Sequence, residues 1–288
     1  MSAPHNSEKL QKVLAEYGHG SRREIEKWIA AGRLEVNGEV AHVGQRVVGE
    51  DQILLDGKLV GRKTKQQSRV LIYNKPSGMI CTRSDPEGRP SVYDALPTIQ
   101  HGRWISVGRL DIATTGLLLF SNDGELANAM MHPATGLDRE YAVRLNGRLT
   151  AEQLEQAKKG VLSDNELLSF SDIRYYDGRG DNHWYHVVLM EGKNREVRRL
   201  FTALGVPVSR LKRVRFGPVI LPSRLKRGRV EEFSTSDTHQ LRKILRLPTA
   251  KPAGRKGSGR KRKHPSVLIA YPDLHRQGAS GKDAQRKS

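Results

Sequence analysis

The sequence predicts an α+β protein with a small N-terminal module, a larger domain built on a largely antiparallel β-sheet flanked by helices, and a disordered basic C-terminal tail. Three observations predict it. Strand-like pieces outnumber helix-like ones after residue 69, and most connections read as hairpins or short excursions. Two capping boxes mark helix starts at Ser21 and Thr150. The last forty or so residues carry Lys, Arg, Gly, Ser and Pro but almost no apolar period.

The first module runs over residues 8–60. Leu10, Val13 and Leu14 have the i, i+3, i+4 spacing of a helix face, and His19-Gly20 breaks that helix. Ser21 and Glu24 form the capping box of a second helix. Ile25, Trp28 and Ile29 are its apolar face, and Gly32 ends it. Asn37-Gly38 and Asp56-Gly57 are hairpin turns. The polar helix faces carry Lys9 and Lys12, then Arg22, Arg23 and Lys27. Residues 61–68 (GRKTKQQS) read as a basic linker.

The second domain is expected over residues 69–247. Val70–Tyr73 is a strand leading into Lys75-Pro76-Ser77-Gly78. Gly116–Phe120 is a buried strand, and Glu125–Met131 a short helix. Tyr141–Leu145 alternates as a strand, as does His183–Met190, and Asn194–Leu204 is a helix ended by Gly205. Residues 248–288, with GRKGSGRKRKH, form the tail, read as an electrostatic tether.

Charge narrows the partner. The chain of 288 residues holds 50 Lys and Arg against 31 Asp and Glu, a net +19. Such an excess points to an anionic polymer, and nucleic acid fits better than membrane because no long basic amphipathic helix stands out. No apolar run approaches the roughly 20 residues of a membrane span. The N-terminus lacks the apolar stretch of a secretory signal, and the single cysteine, Cys81, excludes a disulfide framework or Cys-rich zinc site. A cytoplasmic protein is expected.

Against that background one carboxylate stands apart. Asp111 lies in GRLDIATTGLLLF, between a Gly-Arg-Leu turn and a Thr-Thr-Gly break. No acidic cluster surrounds it, as a magnesium site would require. The close pair His183 and His186 would sit on opposite faces of a strand. No nucleophile elbow and no second marked acid accompany it. What remains is a solitary carboxylate acting as nucleophile or base. Buried or half-buried, such a group needs a cation nearby to stay ionised. In NREVRRLF, Arg198 lies closer to the apolar face than Arg195 or Arg199. Spacing alone leaves open whether it turns inward or all three arginines meet phosphate.

Two resemblances sharpen these readings. EKLQKVLAEYGHGSRREIEKWIAAGRLEVNGEVA is similar to the S4 RNA-binding domain. That likeness implies RNA docking by Lys9, Lys12, Ser21, Arg22 and Arg23, where a helix N-terminus and arginines can both hold phosphate. GRLDIATTGLLLFSNDGELANAMMHP, REYAV and EGKNREVRRLF together resemble the catalytic motifs of RNA pseudouridine synthases that carry an N-terminal S4 domain. The resemblance covers residues 8 to 247.

It implies that Asp111 attacks or deprotonates a flipped-out uridine, so that uracil detaches, rotates and rejoins through carbon. It implies that Tyr141 stacks on the base and can take its proton, and that Arg198 pairs with Asp111. Arg109 would fill the gap left by the extruded nucleotide. Lys75, in the family's Asn-Lys-Pro motif, would shape the site floor and belong to the RNA-contacting set, and Leu211 would lie below the base. No metal or cofactor is implied. The partner would be ribosomal RNA, 23S rRNA in the peptidyl-transferase region, met by a monomer. The alternatives are an enzyme of small-subunit rRNA and a non-catalytic S4-type ribosome assembly factor. An S4-bearing methyltransferase would need a cofactor-binding Gly-rich loop after a strand, and none is placed so.

Overall fold

The computed structural model of the protein describes residues 7–60, 67–100, 102–249 and 265–271. Its chain groups into two compact units: the first takes the chain up to Ser68 together with Pro97–Trp104 and Asn122–Gly124, and the second takes the rest from Arg69 on. The linker expected at 61–68 falls mostly outside the described residues. So does most of the tail, at 250–264 and 272–288.

The first unit holds β1 (Glu8–Lys9), α1 (Leu10–Glu16), α2 (Arg22–Ala30), β2 (Leu34–Val36), β3 (Glu39–Val40), β4 (Arg46–Val47), β5 (Ile53–Leu55) and β6 (Lys58–Leu59). Leu10, Val13 and Leu14 of α1 meet Ile25 and Ile29 of α2 over Leu34, Val36 and Ile53. The spacing of those residues puts them on facing helix stripes, and their burial holds the module together. Ser21 accepts from the Glu24 amide at 3.0 Å while Glu24 accepts from the Ser21 amide at 3.2 Å, which closes the expected capping box. Asn37-Gly38 and Asp56-Gly57 all adopt positive φ, the requirement of the tight turns between β2 and β3 and between β5 and β6. One placement differs from expectation. Lys9 sits in β1, paired with Arg46, rather than on the helix, because the β1–β4 ladder takes up the chain before Leu10.

The second unit begins with β7 (Val70–Lys75), β8 (Ile105–Val107), β9 (Thr115–Ser121), α3 (Gly124–Met131), β10 (Arg139–Asn146) and α4 (Ala151–Lys159). It continues with β11 (Val161–Ser163), β12 (Glu166–Leu168), β13 (Asp172–Arg179), β14 (Asn182–Leu189) and α5 (Glu196–Ala203). Then come β15 (Val208–Phe216), β16 (Val219–Ile220), β17 (Val230–Glu232) and α6 (Thr235–Ile244). The main sheet runs β13-β14-β10-β15-β9-β7-β17, with β16 beside β15 and β8 beside β9. Its described ladders are antiparallel except β15–β9, which is parallel. Thr150 and Gln153 cap α4 as expected. Against one side of the sheet, α3 and α6 bury Leu126, Met130 and Leu241 on Ile72, Leu117 and Leu119.

The parallel joint explains the Thr-Thr-Gly break. Gly116 has φ +99, and a Cβ there would lie 2.3 Å from the Arg213 carbonyl oxygen. Only glycine lets β9 approach β15 this closely. The joint brings Asp111, just upstream of β9, beside β15 and β10.

A short piece of the expected tail packs on the second unit. Ile220 N–H donates to the Val267 carbonyl at 3.0 Å, and Ile269 N–H to that of Pro218 at 2.9 Å. Val267 is 3% exposed and joins the core. The Tyr271 hydroxyl donates to Asp138 Oδ1 at 2.7 Å. Asp138 is also held by a forked pair from Arg215, at 2.6 and 2.8 Å. Burial and this hydrogen bond push the Tyr271 phenol up to about 12. Truncation at Leu247 is therefore expected to destabilise the second unit. One buried valine is worth about 1.5–3 kcal/mol and one hydrogen bond about 1 kcal/mol. Denaturant melts of the full and truncated chains check this, and equal midpoints would show that the anchor adds nothing.

Candidate active site

The site is built around a lysine. Lys75 ends β7 and is 0% exposed. Its ammonium reaches four backbone carbonyls: Pro76 at 3.1 Å, Asp111 at 3.1 Å, Ile112 at 3.3 Å and Thr114 at 2.9 Å. An ammonium has three protons, so at least one is shared. Burial pushes the Lys75 amine below its ordinary value, and its neighbours Cys81 and Asp111 act in the opposite sense. The loop from Asp111 to Thr114 thus wraps a buried cation.

Other bonds fix the same loop. Gly78 N–H donates to the Ile112 carbonyl at 2.9 Å, and Thr114 N–H to that of Asp111 at 3.0 Å. The Cys81 thiol donates to the Leu110 carbonyl at 3.2 Å. With its backbone pinned, Asp111 presents a half-buried carboxylate to a cleft of about 910 Å³.

Arg109, Tyr141, Leu211 and Arg213 line the cleft with Asp111. Register explains the grouping. Tyr141 on β10 lies opposite Val187 and Arg213, and Val143 lies opposite Leu211, so all project to one face. Tyr141 is 9% exposed, and Arg109 is exposed at the rim. Arg139, Arg195 and Glu196 complete the wall. Burial raises the Glu196 carboxyl, which accepts from the Lys193 amide at 3.0 Å. Burial also lowers the Arg139 guanidinium.

Two placements differ from expectation. Lys75 cannot touch RNA: it is fully enclosed, and its protons are spent on carbonyls. Arg198 does turn inward, but no hydrogen bond or ion pair joins it to the Asp111 carboxylate among the described residues. Its guanidinium donates to the Ala113 carbonyl at 3.4 Å and the Val208 carbonyl at 3.3 Å. Burial lowers it most, Arg195 lowers it further, and Asp111 acts in the opposite sense. Arg198 therefore braces the loop and supplies a nearby positive field. Arg199 is engaged elsewhere, with Glu166 at 2.7 Å and the Ser163 carbonyl at 2.7 Å.

In the first unit, Arg22 and Arg23 are exposed at the start of α2, where Ser21 is spent on capping. Lys12 is held by Glu8 and Glu16, so its charge is largely offset. Sequence reasoning gave no role to Arg139, Arg213 or Glu196, and weighed Arg195 only as a phosphate contact. Arg195 alone left a trace, since it directly follows Gly-Lys-Asn, the turn before α5.

This division of the arginines gives an expected ranking. Arg198→Ala should slow single-turnover chemistry about tenfold or more, through loss of the charged hydrogen bonds that tie the loop at Ala113 to β15 at Val208. Arg199→Ala should loosen the β11–β12 hairpin and leave the rate near wild type. Equal rates for the two variants would remove Arg198 from the site.

A half-buried aspartate at the edge of a cleft with a tyrosine and a leucine, rimmed by arginines, suits a flat base withdrawn from a polynucleotide. A separate small module presents further cations. Fold and site together define a nucleic-acid-modifying enzyme. Residues 69–203 match the RNA pseudouridylate synthase family, and residues 8–53 match the S4 domain. A ribosomal large subunit pseudouridine synthase B of Pseudomonas aeruginosa is 57% identical over 249 residues, 85% of this chain and 64% of that protein. The chain thus spans less than two thirds of that relative's length. The protein of the same description from Escherichia coli K12 is 51% identical over 246 residues, 84% of each chain. A crystal structure of a pseudouridylate synthase superposes with a TM-score of 0.57 at 26% identity, covering 81% of this chain and 99% of that one. The chain belongs to the S4-bearing RNA pseudouridine synthase family.

Proposed function

We propose that the protein isomerises one uridine of large-subunit ribosomal RNA to pseudouridine, working as a cytoplasmic monomer. The observation that carries the chemistry is the pinned loop that holds Asp111 at the cleft beside Tyr141. The large-subunit substrate rests on the relatives of known description.

The reaction breaks the bond from C1′ to N1 and makes one from C1′ to C5. The C5 proton leaves and N1 gains one, so atoms and charge balance without redox change. The target base must first leave its stack, at a cost of a few kcal/mol. Arg109, exposed at the rim, fills the vacated space. Asp111 acts as nucleophile or base on the nucleoside, Tyr141 stacks on the uracil and takes the C5 proton, and Leu211 supports the ring. Arg198 keeps the loop in place through the Ala113 carbonyl. The first unit holds flanking RNA through Arg22, Arg23 and Lys9, with a weaker share from Lys12.

The test is pseudouridine mapping across all ribosomal RNA from cells with and without the protein. One site in large-subunit RNA should disappear. A loss confined to small-subunit RNA, or no loss, would overturn the assignment.

A further inference from the structure

The sheet that carries Tyr141 has a second face. In an antiparallel ladder, directly opposed residues share a face and the next along each strand point the other way. Tyr141, Leu189, Leu211 and Arg213 line the cleft. The intervening residues of β13, β14, β10 and β15 therefore point outward. Register sets them in rows. Arg174, His186, Ala142 and Lys212 form one row, and Asp177, Trp184, Arg144 and Arg210 form the next.

These outward residues are half-buried or exposed, whereas Val143, Tyr185, Val187 and Leu211 beneath them are buried. Arg144 lies directly opposite Arg210. Like charges so placed destabilise a ladder. The Trp184 indole sits next to Arg144, and the Tyr176 ring lies 5.1 Å from that of His186. Asp172 engages Arg174 at 2.7 Å. The Glu140 carboxylate on this face is taken up by Arg215 and His186. Four cations thus interleave with flat rings around the small Ala142. That is the composition of a surface for unpaired nucleotides, with bases stacking on rings and phosphates meeting cations.

We propose that this outer face binds a second segment of the substrate RNA, outside the cleft. Unpaired bases lie on Trp184 and His186, and phosphates meet Arg144, Arg174, Arg210 and Lys212. The repulsion between Arg144 and Arg210 is relieved when a phosphate comes between them. The face adds affinity for long RNA and takes no part in the chemistry. The inference rests on RNA being the substrate.

The experiment uses the full chain and two RNAs: a short stem-loop carrying the target uridine, and a long fragment containing the same stem-loop. Arg144→Glu with Arg210→Glu should weaken binding of the long RNA at least tenfold. It should also lower the slope of log affinity against log salt by about 1.4, the value for two single-strand phosphates. Trp184→Ala should weaken it roughly tenfold with the slope unchanged, since stacking releases no counterions. Lys158→Glu with Lys159→Glu, the same charge change at the end of α4, should do much less. Short stem-loop binding and the single-turnover rate at saturating RNA should stay at wild type throughout. Thermal melts check folding, and Arg210→Gln with Lys212→Gln serves if the double reversal unfolds. Long-RNA binding that is unchanged, or equally weakened by the α4 control, overturns the proposal. Naked-RNA binding that is unchanged, with activity lost only on assembled particles, overturns it in favour of a protein partner. Absence of any pseudouridine made by the wild type would instead sink the proposed function.

Discussion

Asp111→Asn is expected to abolish isomerisation while leaving the fold and RNA affinity nearly intact. Lys75 holds the backbone carbonyl of residue 111, not its side chain. The amide substitution therefore leaves the loop pinned and keeps the side-chain shape. What it removes is the charge and the lone pair that the proposed mechanism uses as nucleophile or base. Losing such a group costs typically 10²–10⁴ in rate, and more where it forms the covalent intermediate. Affinity should not fall, because a carboxylate repels phosphate. The measurement is tritium release from RNA labelled at uridine C5, beside a binding titration and a melt. Turnover within about tenfold of wild type, below the least loss expected of a catalytic acid or base, would sink the assignment.

The cleft was partly legible in the sequence because its key groups sit in local patterns. Asp111 stood out as an unpaired acid in a basic chain. The apolar period of Val197, Leu200 and Phe201 placed Arg198 near the buried face, and those residues are buried. Capping boxes and Asn-Gly or Asp-Gly turns carry their partners within four residues, so they read correctly.

What stayed hidden depends on distant partners. A lysine after a strand reads as a solvent-exposed turn residue. The carbonyls that enclose Lys75 lie up to 39 positions away. The parallel β15–β9 joint pairs Lys212 with Thr115, and only Gly116 hints at the close approach. The anchor at Val267–Tyr271 is a short apolar run inside a basic stretch, too brief to show a period. Its partner Asp138 lies 133 residues away.

Lys75→Met should cost both stability and turnover, for one reason. The methionine fills the same space but donates nothing to the carbonyls of Pro76, Asp111, Ile112 and Thr114. Each buried carbonyl left without a donor costs about 1–3 kcal/mol. Partial relief comes from no longer burying a charge. A net loss of about 2–4 kcal/mol follows, because the Asp111 and Ile112 carbonyls keep the Thr114 and Gly78 amides as donors while the buried Thr114 carbonyl loses its donor. Turnover should fall by about 10² even where the variant is folded, since a shift of 1 Å in a reacting group has that effect. Stability against pH gives a signature that ordinary cavity damage would not. Burial holds the Lys75 amine below its ordinary value. Between its folded value and the ordinary one, the unfolded chain binds more protons than the folded chain. Stability from this site therefore rises with pH in that window, and the methionine variant should lack that rise. Denaturant melts of both proteins from neutral to strongly alkaline pH make the comparison, with all other lysines common to both. Parallel curves, or a folded variant with wild-type turnover, would show that the buried ammonium does not organise the Asp111 loop.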